Sequence, residues 1–596
     1  EPPYPPEGEW LDEPFPFPKE RDYFLTQWRN GSDDSYKLRD MGPRNWMWIR
    51  RMVDSHECFS GKRVQLRVAQ ADYSCYAFVN GEKVGHHVGG GTPFSFDITD
   101  AWQAGKTNVV ELAVGSLTTL KRDPNKDQYF NCIWPTVMGF AGVYEGVTLV
   151  AHDDTFIDDV FVMTSLERRE LRVRTWLRHE GDTPAKVMLV HRVEDHGEVT
   201  LEIPAESVSL SPGEGRMIEQ AVPWPDAKLW WPHSPHLYRL RTQLIDANAS
   251  IKDELSTRFG FREITIDGIN VLFNGKVFRP LMGTLGSPST PTSPRPTRKH
   301  LEQRVYEVSD FPPGDPILMR THQRPHTKWQ IELADEMGIC IEPESQMNSV
   351  VYYPTEDPRF WDNAYQHWAD YIRRDRNSPS VVMWSVANEM LHASNSLKVQ
   401  TRDELAASLK SLMLAMKELD PTRPVVEEGG ADIDGTWEML DLHYPRHWNK
   451  HVDFPNDVQW LASEAEKKYD SGHAPFNGWH RDKPISIGED GSYQSYRPPH
   501  DAATCSGDKV YIEPSGYRMS APIADYDQFM FAGYIEGYRR TGVWRHCLDL
   551  GGSGGPIMND AMRRVRTFVW PKGETFFAGS ELTKTVTIMH DALDEK

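Results

Sequence analysis

The stretch LMRTHQRPHTKWQIELADEMGICI, Leu318 to Ile341, decides the fold, because it reads as strand, helix and strand within two dozen residues. Leu318-Met319-Arg320 is a short apolar strand. Lys328 to Met337 has helical periodicity, and Gly338 stops it at the position where a left-handed residue closes a helix. Ile339-Cys340-Ile341 begins the next strand. The same alternation continues downstream. Trp361, Tyr365, Trp368 and Ile372 fall on one helical face, and Val381 to Trp384 reads as a buried strand. Thr401 and Glu404 form a capping box ahead of Leu405, Leu409, Leu412, Met416 and Leu419, and Pro421 ends that helix. Val425-Val426, Leu440-Asp441-Leu442 and Ile485-Ser486-Ile487 extend the series. Repeated strand–helix units over about 300 residues fit a (β/α)8 TIM barrel. No glycine fingerprint after a strand supports an open dinucleotide-binding sheet.

Upstream the rhythm is different. Glu1 to Lys19 carries seven prolines and reads as an extended strap. From Trp28 to Ala151 short alternating runs dominate: Val64, Leu66 and Val68 point one way, Gln65 and Arg67 the other. Asn80-Gly81 between apolar runs predicts a tight primed hairpin. A second all-β stretch follows from Thr155 to Phe261, with no evident chemistry of its own.

The chain has 596 residues, 39% apolar and 26% charged, which is the composition of a folded multidomain protein. Its 87 acidic and 66 basic residues give a net charge of −21, which repels phosphate backbones and argues against nucleic acid or an anionic membrane as partner. No apolar run is long enough to span a membrane. The chain begins at Glu1 rather than Met, so a cleaved leader fits it; a periplasmic or secreted location is expected, with a cytoplasmic one open. Its six cysteines show no metal or redox spacing.

In a barrel the working residues follow the apolar runs, at the C-terminal strand ends. Glu389 follows VVMWSVAN and Glu489 follows PISIG, 100 residues apart. A lone strand-end glutamate is more often a hydrogen-bonded structural group. Two of them across a barrel mouth suit cleavage of a glycosidic bond, one protonating the leaving oxygen and the other attacking the anomeric carbon.

RRDRNSPSVVMWSVANEM (Arg373 to Met390) closely resembles the acid/base signature of family-two glycoside hydrolases, which include β-galactosidases, β-glucuronidases and β-mannosidases. AFVNGEKVGHHVGGGTPFSFDIT (Ala77 to Thr99) resembles the family's N-terminal jelly roll. LWWPHSPHLYRL (Leu229 to Leu240) and FGFREITIDG (Phe259 to Gly268) resemble the end of its immunoglobulin-like domain, and KPISIGEDG (Lys483 to Gly491) its nucleophile strand. The resemblance implies a jelly-roll β-sandwich over 1–152, an immunoglobulin-like β-sandwich over 153–262 and a catalytic TIM barrel over 263–572. The tail, 573–596, then resembles the start of a further β-domain.

By the same resemblance Glu489 is the nucleophile and Glu389 the general acid/base of a retaining exo-β-glycosidase. Two carboxyls about 5 Å apart raise one pKa at the other's expense, so a charged Glu489 is expected to keep Glu389 protonated. Asn388 matches the asparagine that bonds the sugar 2-hydroxyl, Arg320 lies beside the nucleophile and keeps it ionised, and Tyr444 positions it. His322 and His443 are expected to face sugar hydroxyls. Trp544, on the expected eighth strand, either stacks on a sugar face or packs in the core.

No cofactor is implied. No metal is carried over either: Pro445 opposes a helix through His443, His447 and His451, and the residues beyond Glu344 lack a ligand set. Gly89-Gly90-Gly91 and Gly551 to Pro556 read as turns rather than phosphate loops. The expected partner is a plant or algal oligosaccharide, with a β-galactoside preferred and a β-glucuronide second; a homo-oligomer stays open. The Asn-x-Lys motif of family glucuronidases has only a misplaced counterpart in Trp448-Asn449-Lys450, although Arg324, Arg446, Arg497 or Arg545 could meet a sugar carboxylate. Gly283 to Asp315 is rich in Pro, Ser and Thr where an ordered first strand and helix are expected. A carbohydrate-binding protein on an inactive scaffold is the reading from another class.

Overall fold

The computed structural model describes residues 46–72, 74–115, 142–143, 146–284, 298–302, 305, 315–322, 325–349, 353–391, 400–430, 437–443, 469–470, 475–476, 479–490, 535–548, 560–561, 563–570, 581 and 583–591.

The first unit is an antiparallel sandwich. One sheet runs Trp46–Asp54, Thr107–Gly115, Ser74–Val79, Glu82–Val88; the other runs Phe94–Asp97, Arg63–Val68, Val147–His152. Val64, Leu66 and Val68 are buried, as their alternation requires, and pack with Ala77, Val79, Leu112 and Val114. Asn80 and Gly81 both take positive φ, 52° and 84°, which matches the twist of the strands they join. Gly91 lies against Pro325 of the barrel, and its carbonyl accepts from Arg374, so the triple glycine is a docking turn.

The second sandwich has three strands facing four. Thr155–Ser165, Glu170–His179 and Gly215–Pro223 form one sheet; Glu198–Leu210, Ala185–Asp195, Tyr238–Ile245 and Ile251–Phe259 form the other. It grips the underside of the barrel through buried polar contacts. Trp230 donates its indole N–H to the Asp335 carbonyl at 2.8 Å. The buried Arg262 guanidinium donates to the carbonyls of Pro379 (3.1 Å) and Val381 (2.6 Å). Asn377 bonds the Val160–Val162 backbone in both directions.

Eight parallel strands form the barrel: β1 Leu281–Thr284, β2 Ile317–Arg320, β3 Cys340–Glu342, β4 Trp384–Asn388, β5 Val425–Glu428, β6 Leu440–His443, β7 Ile485–Asp490 and β8 Arg545–Leu548. Hydrogen bonds link β3–β2–β1–β8–β7–β6 and β4–β5. Parallel bridges Ile341↔Val381, Glu344↔Ser385 and Asn348↔Asn388 join β3 to β4, and β5 lies alongside β6. Helices α1 Lys328–Met337, α2 Pro358–Asp375 and α3 Arg402–Leu419 pack outside. Gly338 ends α1 at φ 73°, and Thr401 with Glu404 caps α3.

Two expectations change. The buried stripe of α2 runs Phe360–Ala364–Trp368–Ile372, each one i+4 from the last, so Tyr365 is 41% exposed. An ordered first strand exists at Leu281–Thr284, although 285–297 lie outside the described residues. Thr585–His590 pairs antiparallel with Val565–Trp570, and Asp591 accepts from Arg539 at 2.7 Å. Two strands on either side of 572/573 thus pair with one another.

Candidate active site

Strand period fixes the layers inside the barrel. Leu318, Cys340, Val426 and Met439 pack inward with Val382, Phe273, Phe278 and Trp544 as an apolar plug. Two residues further along each strand the side chain again points inward. Those residues are Arg320, Glu342, Glu428 and Asp441, all buried. A polar layer thus sits directly on the plug, toward the C-terminal strand ends.

Arg320 organises that layer. Its guanidinium, fully buried, donates to Glu489 Oε1 at 2.9 Å and Glu344 Oε2 at 2.9 Å, approaches Glu428 Oε2 at 3.4 Å, and bonds Asn388 Oδ1. Arg545 supplies the second buried cation, pairing with Glu342, Glu428 and, at 3.4 Å, Asp441. Burial pushes Glu342 well above the usual carboxyl range although Arg545 opposes it. Burial and neighbouring Glu428 push Asp441 up to about 7. Glu428 goes the other way: against its burial, Arg545 and Arg320 hold it well below the usual range.

The two candidate carboxylates converge above this layer. Asn388 is the last residue of β4, facing inward, so a continued pleat would send Glu389 outward. Instead Glu389 takes φ 57°, a conformation rare for a non-glycine residue, and its N–H bonds the Glu428 carbonyl at 2.7 Å. That turn brings its carboxylate to the mouth, 15% exposed, where Ser349 Oγ donates to Oε2 at 3.1 Å. Glu489, near the end of β7, is 4% exposed. Against its burial, His443, His322 and Arg320 hold its carboxyl well below the usual range, so it is ionised.

His443 stands between the two. Nδ1 lies 2.9 Å from Glu389 Oε1 and 3.7 Å from Glu489 Oε2, while Nε2 lies 3.4 Å from Glu428 and 3.5 Å from Asp441. An oxygen of Glu389, an oxygen of Glu489 and Nδ1 all fall within 4.8 Å of one another. Burial opposes a charge on the ring, yet Glu489, Glu389 and Glu428 together hold its pKa well above the ordinary value. His443 is a buried imidazolium whose Nδ1 faces the carboxyl groups of both Glu389 and Glu489, and its side chain is 0% exposed, away from the open mouth.

Residues 155–262 match the sequence profile described as glycosyl hydrolases family 2, and 318–489 match that family's TIM barrel domain. The chain belongs to glycoside hydrolase family 2. The first match covers the second sandwich; the other runs from β2 to Glu489. Rat β-glucuronidase is 27% identical over 403 residues, which cover 64% of this chain and 58% of the relative. A β-glucuronidase of Paenibacillus borealis is 25% identical, over 64% of this chain and 63% of its own. The chain therefore spans less than two thirds of the length of these curated relatives. Among solved structures, a Bacteroides uniformis β-glucuronidase superposes with TM-score 0.64 at 20% identity, covering 86% of this chain and 59% of that one. An Eisenbergiella tayi β-galacturonidase bound to galacturonate gives 0.66 at 18%, covering 85% and 82%. These likenesses show the family fold.

Among the site residues read from sequence, Glu389, Glu489, Asn388, Arg320, His322 and His443 come together. His322 is 23% exposed and lies 3.3 Å from Glu489 Oε1. Trp544 is placed elsewhere: it precedes β8, 3% exposed in the plug beneath the polar layer. Arg545 is locked to three carboxylates and is not available to a sugar. Tyr444, Arg324, Arg446, Arg497 and Trp448 to Lys450 lie outside the described residues. Sequence reasoning missed Glu342, Glu428 and Asp441. Their signal was the polar residue two places after an inward apolar one. It also missed Ser349, which no spacing marked.

Proposed function

We propose that the protein is a retaining exo-β-glycosidase acting on a terminal β-linked uronic acid. The observation that carries this reading is the approach of the Glu389 and Glu489 carboxylates within 4.8 Å at the barrel mouth, the separation suited to direct attack rather than to an intervening water. In the first step a Glu489 oxygen attacks the anomeric carbon, the bond to the leaving oxygen breaks, and that oxygen takes a proton from Glu389. A glycosyl ester remains. In the second step water attacks the same carbon, Glu389 takes its proton, and the ester bond breaks to return Glu489 as carboxylate. Two inversions leave the anomer unchanged. Arg320 occupies Asn388 Oδ1, which leaves the amide NH2 as donor to a sugar 2-hydroxyl.

For the sugar, the curated relatives compared above carry the name β-glucuronidase, which places a uronide ahead of the β-galactoside read from the chain alone. The test is hydrolysis of 4-nitrophenyl β-D-glucuronide, galacturonide, galactoside, mannoside and glucoside by wild type and Glu489→Gln, with the first-formed anomer read by proton NMR. The expected result is a uronide preferred about tenfold or more in kcat/KM, the scale of one charge-assisted contact. A preferred neutral glycoside overturns the sugar, an inverted product overturns the mechanism, and silence on every substrate favours a binding protein.

A further inference from the structure

The second sandwich carries a cluster of donor atoms that the barrel chemistry leaves unused. Asp195 ends the strand Ala185–Asp195, and His196-Gly197 makes the two-residue turn into Glu198–Leu210, with φ 51° and 89°. His236 precedes the strand Tyr238–Ile245, which pairs with Ala185–Asp195 in the register Glu194↔Arg239. Strand pairing therefore brings His236 beside the turn.

His236 Nε2 lies 3.2 Å from Asp195 Oδ1, and His196 Nε2 lies 3.6 Å from the same oxygen. All three atoms fall within 4.8 Å of one another. Both Asp195 Oδ1 and His236 Nε2 are shielded from solvent, and the contact they make is with one another. Asp195 Oδ2 is held by the Lys228 ammonium at 2.9 Å, which fixes the carboxylate with Oδ1 turned to the imidazoles. A tetrahedral ion with bonds of about 2.0–2.1 Å has ligand–ligand edges of about 3.3–3.4 Å, close to the 3.2 and 3.6 Å from Asp195 Oδ1 to the two imidazoles.

We propose that Asp195, His196 and His236 form a binding site for one divalent transition-metal ion of the zinc class, with its remaining position open to water. Two imidazoles and one carboxylate favour zinc, nickel or copper over magnesium or calcium, which prefer all-oxygen cages. Lys228 is the outer-shell partner that ligating carboxylates ordinarily have, and its charge moderates the affinity. His196 is 86% exposed, which leaves room for the open position. Among the described residues the other two clusters of this kind both use His443, whose ring already spans Glu389, Glu489, Glu428 and Asp441 above two guanidiniums.

The test uses the full chain, free of any affinity tag and stripped with a chelator. Titration with zinc chloride in a calorimeter, and with cobalt chloride read by its tetrahedral visible bands, is expected to show one equivalent bound. His196→Ala, exposed and harmless to folding, and His236→Gln should each weaken binding about tenfold or more while leaving glycosidase turnover unchanged. No stoichiometric uptake, meaning that Asp195 and His236 are only an ion pair, overturns the proposal. So does uptake that survives both substitutions.

Discussion

Nδ1 of His443 lies 2.9 Å from Oε1 of Glu389. The same nitrogen faces Glu489, so one imidazolium is among the charges that keep the nucleophile ionised. The sign of its removal follows. Without that cation Glu489's carboxyl rises toward its ordinary value, and a larger share of the enzyme is protonated at a given acidic pH. His443→Gln should move the acid limb of kcat/KM to higher pH and lower kcat roughly tenfold or more. The pH–rate profile on an aryl glycoside checks it. An unmoved limb leaves His443 as wall.

Arg320 faces four side-chain acceptors, Asn388, Glu428 and Glu489 on β4, β5 and β7 and Glu344 just beyond β3. Arg320→Met leaves Glu344, Glu428 and Glu489 facing one another in a buried site, a cost of about 3–5 kcal/mol. Arg320→Lys keeps the charge but offers a point where a planar fork is needed. We expect the lysine variant to fold yet lose about 10²-fold or more in kcat, and the methionine variant to melt well below wild type. Near-native turnover in either would remove Arg320 from the mechanism. Calorimetry and single-substrate kinetics decide both.

Much of this was legible because elementary periodicities were strong. The capping box at Thr401, the glycine stop at Gly338 and the Asn80-Gly81 turn are local chemistry, and each stands where its residues placed it. Glu389 and Glu489 were singled out by the rule that function follows the apolar run, and the fold brings them together at the barrel mouth. What stayed hidden depends on which strand face a residue takes. Glu342 in CIE and Asp441 in LDLH read as ordinary strand-end acids until the barrel closes and stacks them on the plug. The left-handed turn at Glu389 is likewise invisible in NEM, since a positive φ at glutamate is set by the Glu428 carbonyl on a neighbouring strand. Trp544 stayed open between two roles because aromatic residues serve sugar platforms and plugs equally well, and it takes the plug.

Trp544 offers a clean separation of stability from recognition. It sits in the plug with its ring centroid 6.4 Å from that of Phe278, below the charged layer. Trp544→Ala should cost about 3–5 kcal/mol of stability, as large buried aromatics do. At a temperature where the variant is folded, KM for the preferred glycoside should match wild type. A raised KM with unchanged melting would restore the sugar-stacking role.

Gly338 is one of the points at which the sandwich meets the barrel. Its φ of 73° is left-handed, and a Cβ there would overlap the carbonyl of Pro232. Alanine must therefore distort the end of α1 or push the Leu229–Tyr238 segment away, and the two penalties add. We expect Gly338→Ala to destabilise by more than about 1 kcal/mol, the usual loss for a left-handed cap alone, because the overlap is with backbone that cannot rotate aside. The melting temperature should fall while a mutation on the exposed face of α1, such as Glu336→Ala, shifts it far less. Since Trp230 donates to the Asp335 carbonyl only three residues before Gly338, the same variant should also loosen that hydrogen bond, seen as faster exchange of the Trp230 indole proton. An unchanged exchange rate would mean that the helix end absorbs the strain and the sandwich stays docked.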